Sequence, residues 1–188
     1  AGDTAIVGAR WDAIGGNAKQ GSAYVFPRSG GVWSQQAQLT ASDGAAYDYF
    51  GRAVALNAAG DTAIVGASTH AVGANSEQGS AYVFTRGGGV WSQQAQLTAS
   101  DGAGVYWLGH SVALNAAGDT AIVGAYGSNV GANKYQGSAY VFARSGGVWS
   151  QQAQLTASDG AASDYFGRSV APNAAGDTAI VGAYHDDV

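Results

Sequence analysis

The sequence predicts an all-β chain assembled by repetition, and three observations carry that prediction. The phrase Ala-Gly-Asp-Thr-Ala-Ile-Val-Gly-Ala begins at Ala1, Ala59, Ala117 and Ala175, a strict 58-residue period. Within each period, short apolar or alternating runs are separated by clusters of Gly, Asn, Asp and Ser, the punctuation of strands and turns. No window of about 11 residues carries the apolar stripe of a helix. The chain therefore divides into copies 1–58, 59–116 and 117–174 and a partial copy 175–188, read as one array over residues 1–188. The three full copies agree at 40 of their 58 positions without insertion, so one structural unit is stacked several times. So short a unit cannot bury a core alone and must lean on its neighbours.

Each unit reads as four strands in succession. The first runs roughly from Leu108 to Leu114 and is rich in small residues, Ser111, Val112 and Ala113. Asn115-Ala116-Ala117-Gly118-Asp119 then turns the chain, because Asn, Gly and Asp tolerate positive φ. Thr120 to Val123 forms an almost wholly apolar second strand closed by Gly124, and after a polar loop Gly137 to Phe142 forms the third. Arg144-Ser145-Gly146-Gly147 turns the chain again. The fourth strand, Val148 to Thr156, alternates: Trp149, Gln151, Ala153 and Leu155 point one way, Ser150, Gln152, Gln154 and Thr156 the other. That is the pattern of an edge strand with one wet face. The invariant Trp33, Trp91 and Trp149 on its inward side are expected in the core. Small apolar inner strands and an amphipathic outer one are what a four-stranded antiparallel β-propeller blade requires. The chain carries about 3.25 such blades. A β-helix coil has a shorter period, and a sandwich has no need for four copies of one turn.

Composition narrows the function classes. The chain has no cysteine, so it has neither a disulfide framework nor a thiolate nucleophile or thiolate metal site. Thirteen acidic residues against eight basic ones argue against a phosphate-neutralising groove, so no nucleic-acid partner is expected. No apolar run approaches the roughly 18 residues of a membrane span, and no charged-then-apolar leader opens the sequence.

The string Asp164-Tyr165-Phe166-Gly167-Arg168-Ser169-Val170-Ala171, followed by Gly176-Asp177-Thr178-Ala179-Ile180-Val181-Gly182-Ala183, resembles the FG-GAP repeat, the blade motif of the integrin α-subunit propeller, in its bacterial form. Phe50-Gly51 with Gly66-Ala67, and Leu108-Gly109 with Gly124-Ala125, repeat the match across essentially the whole chain. The resemblance implies propeller blades in secreted or cell-surface proteins that bind other molecules, and fungal lectins with similar repeats imply sugar as one ligand class. It also implies calcium in members with an acidic D-x-D-x-D-G loop. Here the corresponding loop is Asn57-Ala58-Ala59-Gly60-Asp61, with one carboxylate and one amide against the six to eight oxygens that calcium takes, so neither a metal nor another cofactor is expected. Each Asp is instead expected to cap its turn by accepting nearby backbone N–H groups.

Differences between the copies carry the functional signal. Fifteen of the 18 variable positions fall in two windows. The first is Arg10 to Lys19, with counterparts Ser68 to Glu77 and Tyr126 to Tyr135; the second is Ala46 to Ala53, with counterparts Gly104 to Ser111 and Ala162 to Ser169. The first joins strands two and three and the second joins consecutive blades, so both are expected on one face of the disc, with the constant turns on the other. The candidate ligand-binding residues on the varied face are Arg10, Trp11, Asp12, Tyr47, Asp48, His70, Tyr106, Trp107, His110, Tyr126, Asn129, Tyr135, Asp164, Tyr184, His185 and Asp186. Trp, Tyr and Arg with few aliphatics make up binding hot spots, and flat rings beside Asp and Asn suit sugars. The bland alternative is loop drift after duplication. Tyr49, Trp107 and Tyr165 share one position just before the inner strand, where inter-blade packing is an equal alternative.

Catalysis is not expected. His70, His110 and His185 occupy different repeat positions, and no serine is singled out beside a histidine and a carboxylate. Asp186 and Asp187 are adjacent and would point apart on a strand. The reading is thus a non-catalytic binding or adhesion scaffold, extracellular or at the cell surface, with a protein or glycan ligand. A propeller lectin, and a structural surface-layer or filament component, are the alternatives. Thirteen strands do not close a ring, so the chain is expected to belong to a longer array or to self-associate.

Overall fold

The computed structural model describes residues 2–186; Asp187 lies outside them. Among these residues the chain is all-β, in fourteen strands: β1 (Thr4–Ala9), β2 (Ser22–Ser29), β3 (Val32–Trp33), β4 (Ala37–Leu39), β5 (Val54–Leu56), β6 (Thr62–Ala67), β7 (Ser80–Gly87), β8 (Val90–Leu97), β9 (Ser111–Leu114), β10 (Thr120–Ala125), β11 (Ser138–Ser145), β12 (Val148–Leu155), β13 (Phe166–Pro172) and β14 (Ala179–Ala183). They form antiparallel meanders: β5-β6-β7-β8, β9-β10-β11-β12, the pair β13-β14, and a first sheet in which β2 pairs with β1, β3 and β4. These sheets are successive propeller blades, blades 1 to 4 in chain order, in an open arc.

The count of fourteen instead of thirteen has a local cause. In blades 2 and 3 the outer strand is continuous, with Thr85 opposite Ser92 and Ala143 opposite Ser150. Blade 1 has Pro27 at that position, which accepts from the Ser34 N–H (3.2 Å) but has no N–H to return. The ladder lapses there, and one expected strand becomes β3 and β4.

Each core lies between blades. Ala63, Val65 and Ala67 of β6 pack with Val25, Leu39 and Phe50 against blade 1, while Ile64 of the same strand packs with Val112, Val123 and Phe142 on the side of blade 3. Both faces of β6 are buried, which is why Thr-Ala-Ile-Val-Gly-Ala is apolar throughout instead of alternating. Fully burying one such side chain contributes roughly 1.5–3 kcal/mol, so stability resides in the stacking. The expected tryptophan core is corrected in part, since Trp91 and Trp149 pack against the buried clusters but only from their outer edge. Trp33 is 45 % exposed, and Trp91 and Trp149 are half-buried. The Trp91 Nε1–H donates to Gln36 of the preceding blade (3.0 Å) and the Trp149 Nε1–H to Gln94 (3.3 Å), with Arg86 and Arg144 stacked on the rings. An indole with a polar donor sits at the wet outer edge, where the donor finds a side-chain acceptor.

Candidate functional site: the varied rim

The strand register decides where the two varied windows meet. Ala9 pairs with Ser22 at one end of the β1–β2 hairpin and Thr4 with Pro27 at the other, so the first window leaves from the Ala9 end. The blade connector enters its strand at the same end. Backbone bonds then tie the windows together at every junction. Tyr47 N donates to Ala18 O (2.9 Å) and Tyr49 N to Lys19 O (3.2 Å) between blades 1 and 2. Val105 to Ser76 and Trp107 to Glu77, then Ser163 to Lys134 and Tyr165 to Tyr135, repeat the pattern between later blades. The constant turns pair on the opposite rim, where Arg28, Arg86 and Arg144 N–H groups donate to the Asp3, Asp61 and Asp119 carbonyls.

The varied loops also hold the strained backbone. Lys19, Tyr47, Tyr49, Glu77, Val105, Trp107, Tyr135, Ser163 and Tyr165 are the non-glycine residues with positive φ among the described residues, and all lie in these windows. Each costs of order 1–3 kcal/mol relative to an unstrained backbone, a cost concentrated in proteins at functional sites.

The candidate residues separate into inward and outward sets. Asp48, His70, Tyr106 and Asp164 are buried, so the expectation of an exposed set is corrected for these four. His70 Nδ1 meets Asp48 Oδ2 at 2.9 Å and its Nε2 meets Asp43 Oδ2 at 3.4 Å, while the Tyr82 hydroxyl donates to Asp43 at 2.8 Å. Burial alone would depress the His70 pKa, but the Asp48 hydrogen bond and the charges of Asp48 and Asp43 outweigh it and raise the pKa. Burial, then Asp43, raise that of Tyr82. Asp164 accepts the Ala161 N–H (2.6 Å), and half-buried Asp12 accepts the Ser22 (2.5 Å) and Tyr24 (2.8 Å) hydroxyls. A short acid in a turn meets backbone and neighbouring hydroxyls before it meets solvent.

The outward set forms two pockets at equivalent blade junctions. Between blades 1 and 2, Arg10, Trp11, Tyr49, Arg52 and Ser68 line about 210 Å3, with the Arg10 guanidinium 4.7 Å from the Trp11 ring centroid. Between blades 3 and 4, Trp107, Tyr126, Tyr165, Arg168, Tyr184 and His185 line about 390 Å3. There Trp107 stacks on Tyr135 with 8° between the rings, Tyr126 lies 4.9 Å from Trp107, and the Trp107 Nε1–H donates to Glu77 at 2.9 Å. His110 Nε2 faces Arg52 at 2.5 Å, and its Nδ1 is buried without a partner among the described residues. Burial, then the positive charge of Arg168, lower the His110 pKa to about 4. Tyr47, 54 % exposed beneath Lys19, lines a further pocket of about 410 Å3 with Asp48, Tyr49 and Glu77, and Asn129 is exposed and accepts the Tyr135 N–H. Asp186 is exposed beyond the second pocket.

Sequence reasoning missed Arg52 and Arg168. Their shared repeat position, occupied by His110 in the intervening copy, lies inside a varied window and carried the signal. It also misassigned the constant turn. Asn57 Oδ1 accepts the Asp61 and Thr62 N–H groups (3.1 and 3.0 Å), while Asp61 Oδ1 accepts from Asn57 Nδ2 (2.8 Å) and Thr62 Oγ1 (3.3 Å). The amide is the cap because it offers both a donor and an acceptor. With an N–H donor pointed at its lone carboxylate, this loop does not fit calcium, which wants oxygens alone.

Against known proteins, the FG-GAP repeat model matches residues 1–26, 33–84, 91–142 and 149–188. No curated protein matches the chain.

Proposed function

This chain belongs to the FG-GAP repeat family, and from that premise we propose that it is a non-catalytic binding or adhesion scaffold that meets its ligand through the varied rim. One observation carries the proposal. At every junction the two windows that vary between copies are hydrogen-bonded to each other, and they gather rings and guanidinium groups above strands that hardly vary. The partner is a protein or a glycan, at the cell surface or outside the cell. Exposed rings at Trp11 (67 %) and Tyr184 (67 %) favour a lectin as the second reading, since an uncovered ring face stacks on a sugar.

The surroundings of His70 support the non-catalytic part of this proposal. Both of its ring nitrogens face carboxylates, so neither is free to take a proton from a nucleophile. No metal or other cofactor enters the proposal, because the constant-turn carboxylates are engaged by Asn and Thr donors.

The test is a screen of the folded chain against a glycan array and a panel of surface proteins, with Trp11→Ala and Tyr184→Ala beside an opposite-rim control, Arg86→Ala. Binding that falls at least about tenfold in either rim variant and persists in the control supports the proposal. Binding lost only in the control overturns it, and no soluble ligand in either screen leaves the structural-component reading.

A further inference from the structure

The geometry points to Arg168 as the centre of an anion site at the junction of blades 3 and 4, taking a carboxylate carried on a six-membered ring. The inference deepens the proposed rim function and rests on it. The exposed Arg168 guanidinium lies 4.9 Å from the Tyr126 ring centroid and 5.5 Å from that of Tyr184. Both rings lie against the guanidinium, and Tyr126 also accepts a side-chain hydrogen bond from it, which leaves the rest of its five donors on an exposed side chain. An edge made only of donors matches a planar carboxylate through two parallel hydrogen bonds.

The surroundings decide the rest of the ligand. Trp107, Tyr165 and His185 complete the lining of a pocket of about 390 Å3, roomy enough for a ring, and its ring side chains favour a flat body on the carboxylate. Arg168 forms no ion pair among the described residues. The Glu77 carboxylate accepts from the Trp107 indole and makes no ion pair with Arg168 among the described residues.

The repeat supplies internal controls. At the preceding junction the equivalent position is His110, and the equivalent Arg52 one copy earlier is turned onto that histidine. The imidazole is neutral at physiological pH, so at the middle junction this position is not itself a cation, and the guanidinium that reaches it is engaged by the ring. Of the three residues at this position, Arg168 alone is a guanidinium set against two tyrosine rings and not against a histidine. On the opposite rim Arg144 stacks on Trp149, but it donates to Gln94 at 3.4 Å.

A carboxylated six-membered ring comes from two sources, an aromatic acid or a uronic acid. Calorimetric titration of the full chain with benzoate and with glucuronate, against benzyl alcohol and glucose as neutral counterparts, separates them. Saturable binding of either acid, weaker as salt rises and at least about tenfold weaker in Arg168→Gln than in wild type or Arg144→Gln, is the expected result. The acid that binds names the source. Binding that survives Arg168→Gln at full strength, equal binding of the neutral counterparts, or no saturation by either acid overturns the assignment. Circular dichroism melts confirm that the variants fold. Rim-dependent hits on the glycan array together with a failed titration would sink the carboxylate site and leave the rim function standing.

Discussion

Single residues show how one repeat position is put to different uses. Asp12, His70 and Ser128 are equivalent, and each meets a serine or a carboxylate by a different route: Asp12 accepts from Ser22, Ser128 donates to Ser138, and His70 bridges Asp48 and Asp43. The two histidines of the inner region have opposite pH signatures. His70 has a folded pKa raised above 6.5, so its contribution to stability is complete below about pH 6.5 and lost as pH rises through the raised value. His70→Ser, which installs the residue of the next copy, is therefore expected to cost more stability in mild acid than in alkaline solution. His110 has a folded pKa lowered to about 4, so stability present above pH 6.5 is lost as pH falls towards that value. His110→Gln is expected to flatten this acid loss, and thermal melts of both variants across that range provide the check. None of this was legible in the sequence. The three histidines occupy unrelated repeat positions, and only the folded chain brings Asp43 and Asp48 from the preceding connector onto the His70 ring.

At the scale of elements, the paired glycines explain why the motif has its form. A Cβ on Gly66 of β6 would run into the carbonyl of Gly109, and one on Gly124 of β10 into that of Gly167. The Gly109 N–H at the same time donates to Gly124 O in its own blade (3.0 Å). The Phe-Gly or Leu-Gly entering one blade thus sits against the Gly-Ala leaving the second strand of the blade before, and the backbones close up only without side chains. Gly66→Ala is expected to cost about 3 kcal/mol in urea denaturation, since the overlap is with backbone that cannot rotate away. Gly87→Ala is expected to stay within about 0.5 kcal/mol, because nothing lies within 4 Å and the equivalent residues are Ser29 and Ser145. The strands and turns were readable in order because their patterning is local. The break between β3 and β4 was not read, although Pro27 announces it, because the missing donor matters only once the partner strand is in place.

For the molecule as a whole, the arc leaves two unlike faces open. Val65 and Val123 are completely buried, yet their counterpart Val7 is 53 % exposed; Ile64 and Ile122 are buried, yet Ile180 is 74 % exposed. The Val7 face is of the kind that receives a preceding blade and the Ile180 face of the kind that receives a following one, so the two are complementary by the repeat itself. The isolated chain is therefore expected to associate head to tail, with light scattering giving a mass above 18.8 kDa that falls when Ile180→Lys charges one face. A stable wild-type monomer would contradict this.

Periodicity, turn chemistry and doubly apolar second strands determined the blade, its four-strand order and the rim on which the varied windows emerge, because each follows from spacings along a chain that repeats without insertion. Which side chains of those windows face solvent was decided by tertiary structure alone. Burial of His70 against Asp48, the pairing of Arg52 with His110, and the placing of Arg168 against Tyr126 depend on contacts across blade junctions between residues 22 to 58 apart in the chain. Such contacts exist only when one blade is seated on the next.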